Sequence, residues 1–310
     1  MSVSTVFTLG PANAGADAGT AIPALEDHTL DHGVSTLLTA DSGQAWADHG
    51  AVASAAPMVR FSTLDIGAAL DALGVGGYAL VTGAGQNQMA FYYLSKANKG
   101  VRSSGSVHRR IRVVDGLVVP ERLSVGVGGW ARMTYACHAR YDGTNDPVQF
   151  DASQAAPTAS AVDDVYGLGK FVLNGTDLGG VQSVEVDFGI EVDKKRSEAD
   201  VYPTFVGINR MRPRVTVQTF EPVNLATLGI TGTGSASTNS LLYLQHVTKY
   251  GQRTADATTS HLSLTFGGWL ASPGTNPASQ DGDMVTEFVL EPLKKTGVDL
   301  IASATGVAIV

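Results

Sequence analysis

The chain has 310 residues, 44% of them hydrophobic, with a mean hydropathy of +0.07 and a formal charge of −8. That is enough apolar material for two ordinary domains and excludes a compositionally disordered chain; the acidic balance argues against a broad basic face that grips nucleic acid. The 36 glycines suit an all-β chain with many turns, and a single cysteine, Cys137, excludes an intrachain disulfide.

The first residues, MSVSTVFTLGP, lack the basic region and long apolar core of a secretory signal, and no apolar run approaches the roughly 20 residues of a membrane helix. A protein made and kept in the cytosol is expected. In EDHTLDH, Glu26 to His32, the histidines His28 and His32 would share a face if helical and form a candidate metal pair. Thr29 and Leu30 give no helical pattern and no third ligand is indicated, so exposed loop histidines are the expectation. Val59, Phe61 and Thr63 then alternate with Arg60 and Ser62 as a half-buried strand does, and the period changes to helical at Ile66, Leu70 and Leu73. Asp65 suits the helix N-cap and Gly74 its left-handed stop. The glycine strings at Gly74–Gly77, Gly83–Gly85 and Gly126–Gly129 are turn glycines and lack the strand-to-helix setting of a nucleotide fingerprint.

MAFYYL, 89–94, has strand character. RSSGSVHRRIR, Arg102 to Arg112, is the one basic cluster, and on a strand Arg110 and Arg112 share a face. They are either a solvated strand face or a salt-bridging surface for an acidic neighbour on another copy. In MTYACHARY, Cys137 and His138 point to opposite faces of a strand, which argues against a catalytic pair. There is no G-x-S-x-G elbow and no Walker motif. No catalytic residue, cofactor or metal is expected, and the protein is not expected to be an enzyme.

The stretch Asp151 to Asp164 is small, polar and weakly patterned, as a linker is. Asn174-Gly-Thr fits a glycosylation sequon, which means little without a signal. SVEVDFGIEVD, Ser183 to Asp193, alternates as one strand, with Val184, Val186, Phe188, Ile190 and Val192 facing a core and Glu185, Asp187, Glu191 and Asp193 facing away. The charged run DKKRSEAD follows, with Asp193, Lys194, Lys195, Arg196, Glu198 and Asp200. Val215, Val217 and Thr219 alternate again, Pro222 suits a first helical position, Leu225 and Leu228 keep helical spacing, and Gly229 stops the helix. LLYLQHV, 241–247, and HLSLTFGGWL, 261–270, have strand character.

Pro57 to Gly77 is therefore written again at Pro213 to Gly232, roughly 155 residues later. The match extends downstream through Tyr92/Tyr243, Gly100/Gly251, Arg102/Arg253, Ile111/Leu262, Val113/Leu264, Gly116/Gly267 and Met133/Met284, and upstream through Asp41/Asp187 and Gly43/Gly189. The pattern predicts a tandem duplication with domains 1–155 and 156–310. Each is an all-β sandwich or partial barrel flanked by one short helix. On this match the connection Asp187–Pro213 is ten residues longer than Asp41–Pro57.

Val181 to Gly229, with a diluted version over Val34 to Gly74, resembles the tail tube proteins of tailed bacteriophages. The resemblance implies a β-sandwich flanked by a helix, rings whose strands join as a barrel around a DNA channel, and rings that stack by a long loop. It also implies that two tube domains in one chain give trimeric rings with pseudo-six-fold symmetry. Glu185, Asp187, Glu191 and Asp41 would face the lumen, with Thr39 and Ala45 opposite the glutamates. Residues Asp193, Lys194, Lys195, Arg196, Glu198 and Asp200 would form the inter-ring loop, and Arg110 and Arg112 an inter-subunit face. The partners implied are other copies of the chain, the tape measure protein, and terminator or baseplate proteins; DNA passes without specific binding, and no membrane is involved. The place implied is the virion, after synthesis in the host cytoplasm. The alternatives are another ring component of the tail, such as a terminator or distal tail protein, and a tandem β-sandwich adhesin or carbohydrate binder. The binder would favour aromatics at loop tips, whereas Tyr92, Tyr93, Tyr243 and Trp269 fall in strand-like runs.

Overall fold

The computed structural model describes residues 9–12, 25–40, 42, 46–47, 49–80, 88–93, 95, 103, 105–155, 165–173, 175–220, 240–248, 250–273, 285–294 and 299–310. The chain is all-β, with one helix among the described residues. Its first half contributes β1 (Leu9–Ala12), β2 (Leu25–Asp31), β3 (Val34–Thr39), β4 (His49–Ala55), β5 (Met58–Thr63), α1 (Ile66–Leu73), β6 (Tyr78–Leu80), β7 (Gln88–Tyr93), β8 (His108–Val113), β9 (Gly116–Gly126), β10 (Arg132–Ala139) and β11 (Val148–Gln154). The second half contributes β12 (Val165–Leu173), β13 (Thr176–Asp177), β14 (Val181–Asp187), β15 (Ile190–Lys195), β16 (Phe205–Met211), β17 (Arg214–Thr219), β18 (Ser240–Val247), β19 (His261–Phe266), β20 (Trp269–Pro273), β21 (Thr286–Pro292) and β22 (Ile301–Val307).

The large sheet has the order β2-β5-β10-β9-β14-β17-β21-β20, with β6 added beside β9. Two smaller sheets, β1-β7-β8-β11 and β13-β12-β18-β19-β22, and two hairpins, β3–β4 and β15–β16, complete the fold. In the large sheet β2-β5-β10-β9 is followed by β14-β17-β21-β20, and the chain positions of these strands correspond one to one. The smaller sheets correspond in the same way once β13 is set aside. The irregularities recur too. The ladder slips between Leu25 and Asp27 against β5, and between Val181 and Ser183 against β17. It slips between Ser35 and Thr36 in one hairpin and between Glu191 and Val192 in the other. Slips between Asp151 and Gln154 against β8, and beside His261 against β22, form a third pair. A bulge depends on local sequence and twist, so three slips at corresponding places are a demanding match.

The recurring register corrects the upstream match. Asp31, Gly33 and Pro57 stand where Asp187, Gly189 and Pro213 stand. Asp31 Oδ1 accepts the Gly33 N–H at 2.9 Å and Asp187 Oδ1 accepts the Gly189 N–H at 2.9 Å. Both glycines have φ of +54°. A Cβ at Gly33 would lie 2.7 Å from Ala56 O, and one at Gly189 would lie 1.9 Å from Arg212 O. Only glycine fits either turn. The two connections are therefore equal in length, and Asp41 is not the counterpart of Asp187; it lies outside the described residues. The downstream match also moves, because His108, Ile111 and Val113 take the places of His261, Leu264 and Phe266. The Ser95 N–H donates to His108 Nδ1 at 3.0 Å and the His246 N–H to His261 Nδ1 at 3.0 Å.

The expected strand Ser183–Asp193 is broken. β14 ends at Asp187, Phe188 is fully buried, and Gly189 turns the chain into the hairpin. HLSLTFGGWL is likewise two strands in different sheets, separated at Gly267–Gly268. Residues 151–154 of the expected linker belong to β11, and 156–164 lie outside the described residues, as do Asn174 and the expected helix at Pro222–Leu228. Helix α1 forms as its pattern requires. Asp65 Oδ1 accepts the Ala68 N–H at 3.1 Å, and Gly74, at φ +66°, donates its N–H to Leu70 O at 2.8 Å. Ile66, Ala69, Leu70 and Leu73 are buried.

One apolar cluster runs through both halves, from Val59, Phe61 and Tyr135 to Val186, Val217 and Phe288. Phe61 stacks on Tyr135 at 5.5 Å and meets Phe91 of the smaller sheet edge-on at 5.6 Å. Truncating a ring buried this completely costs about 3–5 kcal/mol. Tyr92 and Tyr243 are buried, as their alternation expects.

Candidate functional site

The two halves meet at a β-ladder. β9 pairs with β14 from Ser183/Gly126 to Asp187/Arg122, while Leu123, Val125, Val184 and Val186 send their side chains into the core. β14 is thus an inner strand, but β2, which holds the same place in the first half, is an edge. β9 is an inner strand, and β20, which lies at the other edge among the described residues, matches Gly116–Pro120 of β9; the counterparts of the β14-paired Arg122–Gly126 lie outside the described residues. A sheet edge presents unpaired N–H and C=O groups and accepts another strand.

The exposed face of the large sheet carries the expected acids, but not as a bare acidic stripe. Glu185 pairs with Arg122 across the junction. Arg60 binds both oxygens of Glu121, at 2.5 and 2.7 Å, and Arg214 meets Glu291 at 3.4 Å. Asp27, Asp187 and Glu287 take hydrogen bonds from neutral donors, namely Ser62, the Gly189 N–H and Gln218. Glu191 is not on this face. It lies in β15 and pairs with Arg210, which holds its carboxyl below the usual range.

The β15–β16 hairpin, with the charged run at its tip, folds over the first half of the same chain. The Ala55 N–H donates to Val201 O at 3.0 Å and the Tyr141 N–H donates to Pro203 O at 2.8 Å. Arg196 donates to Ala53 O at 2.8 Å, and the rings of Tyr141 and Tyr202 lie 6.2 Å apart. Lys194 is half-buried, and burial lowers its pKa against the opposing pull of Asp31. Lys195 pairs with Asp193 at 3.2 Å. Ser197 and Thr204 share a hydroxyl hydrogen bond of 2.9 Å, which closes the tip. The cations expected to reach a neighbouring ring therefore have partners in their own chain, while Glu198 stays exposed and Asp200 only half so.

The β3–β4 hairpin is far more exposed among its described residues, although Ala53 and Ala55 bond to the other hairpin. Every described residue of β3 is exposed, and Val34, Leu37, Leu38, Val52 and Trp46 are large apolar side chains between 51% and 70% exposed. The second half in turn has an open groove of about 540 Å³, lined by Asp187, Met211, Pro213, Glu291, Pro292 and Lys294 among others. The first-half residues in those places are Asp31, Ala55, Pro57, His138, Ala139 and Tyr141, of which Ala55 and Tyr141 hold the docked segment Val201–Pro203. Hydrogen bonds fix this correspondence independently of the strands. The Val114 N–H donates to Pro147 O as Gly267 donates to Leu300 O, and Arg140 donates to Asp115 O as Leu293 donates to Gly268 O.

The remaining candidates separate. Arg110 binds Asp151 at 2.9 Å and Tyr92 at 3.3 Å, and Arg112 binds Gln88 at 3.1 Å and reaches Asp151 at 3.5 Å. Within the chain their acidic neighbour is Asp151 of β11 in their own half. His28 and His32 are not helical. His28, on β2, bonds to Tyr93 and stacks on Phe91, while His32 lies beside Phe150. Burial lowers the His28 pKa. Cys137 is fully buried, which raises its thiol pKa, and His138 points to the opposite face. Burial, then Lys194 and Arg60, hold the His138 pKa down at about 4. Sequence reasoning passed over Trp46, Tyr202, Met211 and Lys294. The available signal was the equal spacing of Asp31-His-Gly33 and Asp187-Phe-Gly189 from Pro57 and Pro213.

No protein-family model matches this chain, and no curated protein matches it in sequence.

Proposed function

We propose that the chain is a tail tube subunit of a tailed bacteriophage, made of two tandem tube domains at 1–155 and 156–310. One observation carries the reading: the strand order is written twice across the β9–β14 junction, and among the described residues it leaves β2 and β20 at the two edges of the sheet. Repeating the junction between chains places β2 of one copy beside the β20 edge of the next. Such a head-to-tail contact closes into a ring when its rotation permits, and ring closure removes both edges. Three chains then supply six tube domains. Stacking of rings is a second contact that need not close, and it gives a tube.

In this ring the ion-paired face of the large sheet lines the lumen. Its Arg60, Arg122 and Arg214 are held by Glu121, Glu185 and Glu291, while Asp27, Asp187 and Glu287 accept hydrogen bonds from neutral donors. A surface of this kind, with acids beside arginines already held by glutamates, repels phosphate, so DNA slides. The partners are further copies of the chain and the tape measure and terminator proteins, the place is the virion, and no catalysis is involved.

Negative-stain electron microscopy of the purified protein at rising concentration tests the reading. Hollow stacked rings are expected. Single rings that never stack would make the protein a terminator-type component. A monomer at every concentration, with no rings, would contradict the proposal.

A further inference from the structure

We infer that the β3–β4 hairpin of one copy seats in the second-half groove of the next, as a lateral clasp within the ring. The inference rests on the ring reading above. It follows from the same operation that relates the two halves. Inside one chain, β14 pairs with β9, and the hairpin that follows β14 lies across the first half. If β2 of another copy adds beside the β20 edge, its own following hairpin, β3–β4, lies across the second half.

The residues on both sides fit. In the first half the seat holds Tyr202 beside Tyr141. The corresponding pair is Trp46 of the incoming copy beside Lys294. Trp46 is 70% exposed in the single chain, and an indole is the best of the aromatic faces for a Lys or Arg cation. The main-chain donors that hold the docked segment, Ala55 N–H and Tyr141 N–H, have Met211 N–H and Lys294 N–H as counterparts. The exposed side chains of Val34, Leu37, Leu38 and Val52 make this arm more apolar than the docked one, which carries Ile190, Asp193, Lys194 and Ile208 at those places. An apolar arm left in water is what a buried inter-chain contact would use. Each chain thus carries one arm spent on itself and one arm for its neighbour.

Site-directed cross-linking tests this. The native Cys137 is fully buried, so engineered surface thiols react alone. The double variant Trp46→Cys/Lys294→Cys, treated with a short bifunctional maleimide at ring-forming concentration, should give covalent species larger than one chain. The control Tyr141→Cys/Tyr202→Cys should give a link within one chain and no increase in mass. Trp46→Ala, read by light scattering, should raise the concentration needed for ring formation by about tenfold or more, as loss of an interfacial aromatic anchor does. Rings visible by microscopy without inter-chain links at 46 and 294 would overturn the clasp and leave the ring reading standing. Absence of both rings and links would overturn the ring reading and the clasp with it.

Discussion

The two hairpins begin with the same turn, at Gly33 and Gly189, and end on the same proline, yet one is docked and the other is not. β15–β16 lies over the first half, holding Ala55 and Tyr141 by their N–H groups. β3–β4 is held by the docked hairpin only near the end of β4, at Ala53 and Ala55, and exposes the side chains of Val34, Leu37, Leu38 and Val52. The local sequence does not cause the difference. The second hairpin packs on the half that precedes it in the same polypeptide. A repeat that packs on its predecessor leaves its first copy with an unused arm and its last copy with an unused seat.

The largest expected effect comes from the turns themselves. Gly189→Ala should destabilise the fold by about 3 kcal/mol, because its Cβ would overlap Arg212 O, whereas Gly33→Ala should cost about 1–2 kcal/mol. Denaturant unfolding of the two variants measures the gap. Equal losses would mean that the docked hairpin is held no more tightly than the free one.

Acidification should loosen the docked side next. His138 sits under the docked hairpin with a pKa of about 4, below its unfolded value near 6.5. Above about pH 6.5 it is neutral in both states and contributes no pH dependence. As pH falls from there toward about 4 the unfolded chain takes up a proton that the folded chain refuses, so stability drops, by on the order of 2–3 kcal/mol. His138→Gln should flatten the unfolding free energy across that window, apart from the shared carboxylate slope at its acid end.

Removing the docked ring should have a smaller effect. Tyr202→Ala should cost about 1–2 kcal/mol and speed hydrogen exchange at the Ala55 and Tyr141 amides. In the wild-type single chain the Lys294 amide should already exchange faster than that of Tyr141, and it should slow only on ring formation. Smallest of all, Trp46→Ala should change the stability of the single chain by less than about 0.5 kcal/mol, since it removes an exposed side chain. A large loss there would place Trp46 in a contact within its own chain.

Part of this organisation was legible in the sequence. Alternation at Val59–Thr63, the change of period at Ile66, the Asp65 cap and the Gly74 stop are local signals, and each formed as its pattern requires. The second strand of that kind, at Val215–Thr219, was legible for the same reason, and the helix expected after it lies outside the described residues. The upstream register was not, because Asp41-Ser-Gly43 offers the same residue types as Asp31-His-Gly33, and only the spacing to Pro57 tells them apart. The break at Gly189 had a signal, a glycine inside a strand pattern, outweighed by five well-spaced apolar residues. The pairing of Arg110 with Asp151, and of Val201 with Ala55, depends on which distant strands become neighbours, which no local period encodes.

The most direct test of the whole account is a cryo-electron microscopy reconstruction of the isolated ring. It should show three chains and one continuous sheet, with β2 of each chain joined to the β20 edge of the next much as β14 is joined to β9. A ring in which β2 and β20 face solvent, or in which the smaller sheets make the contact between chains, would contradict it.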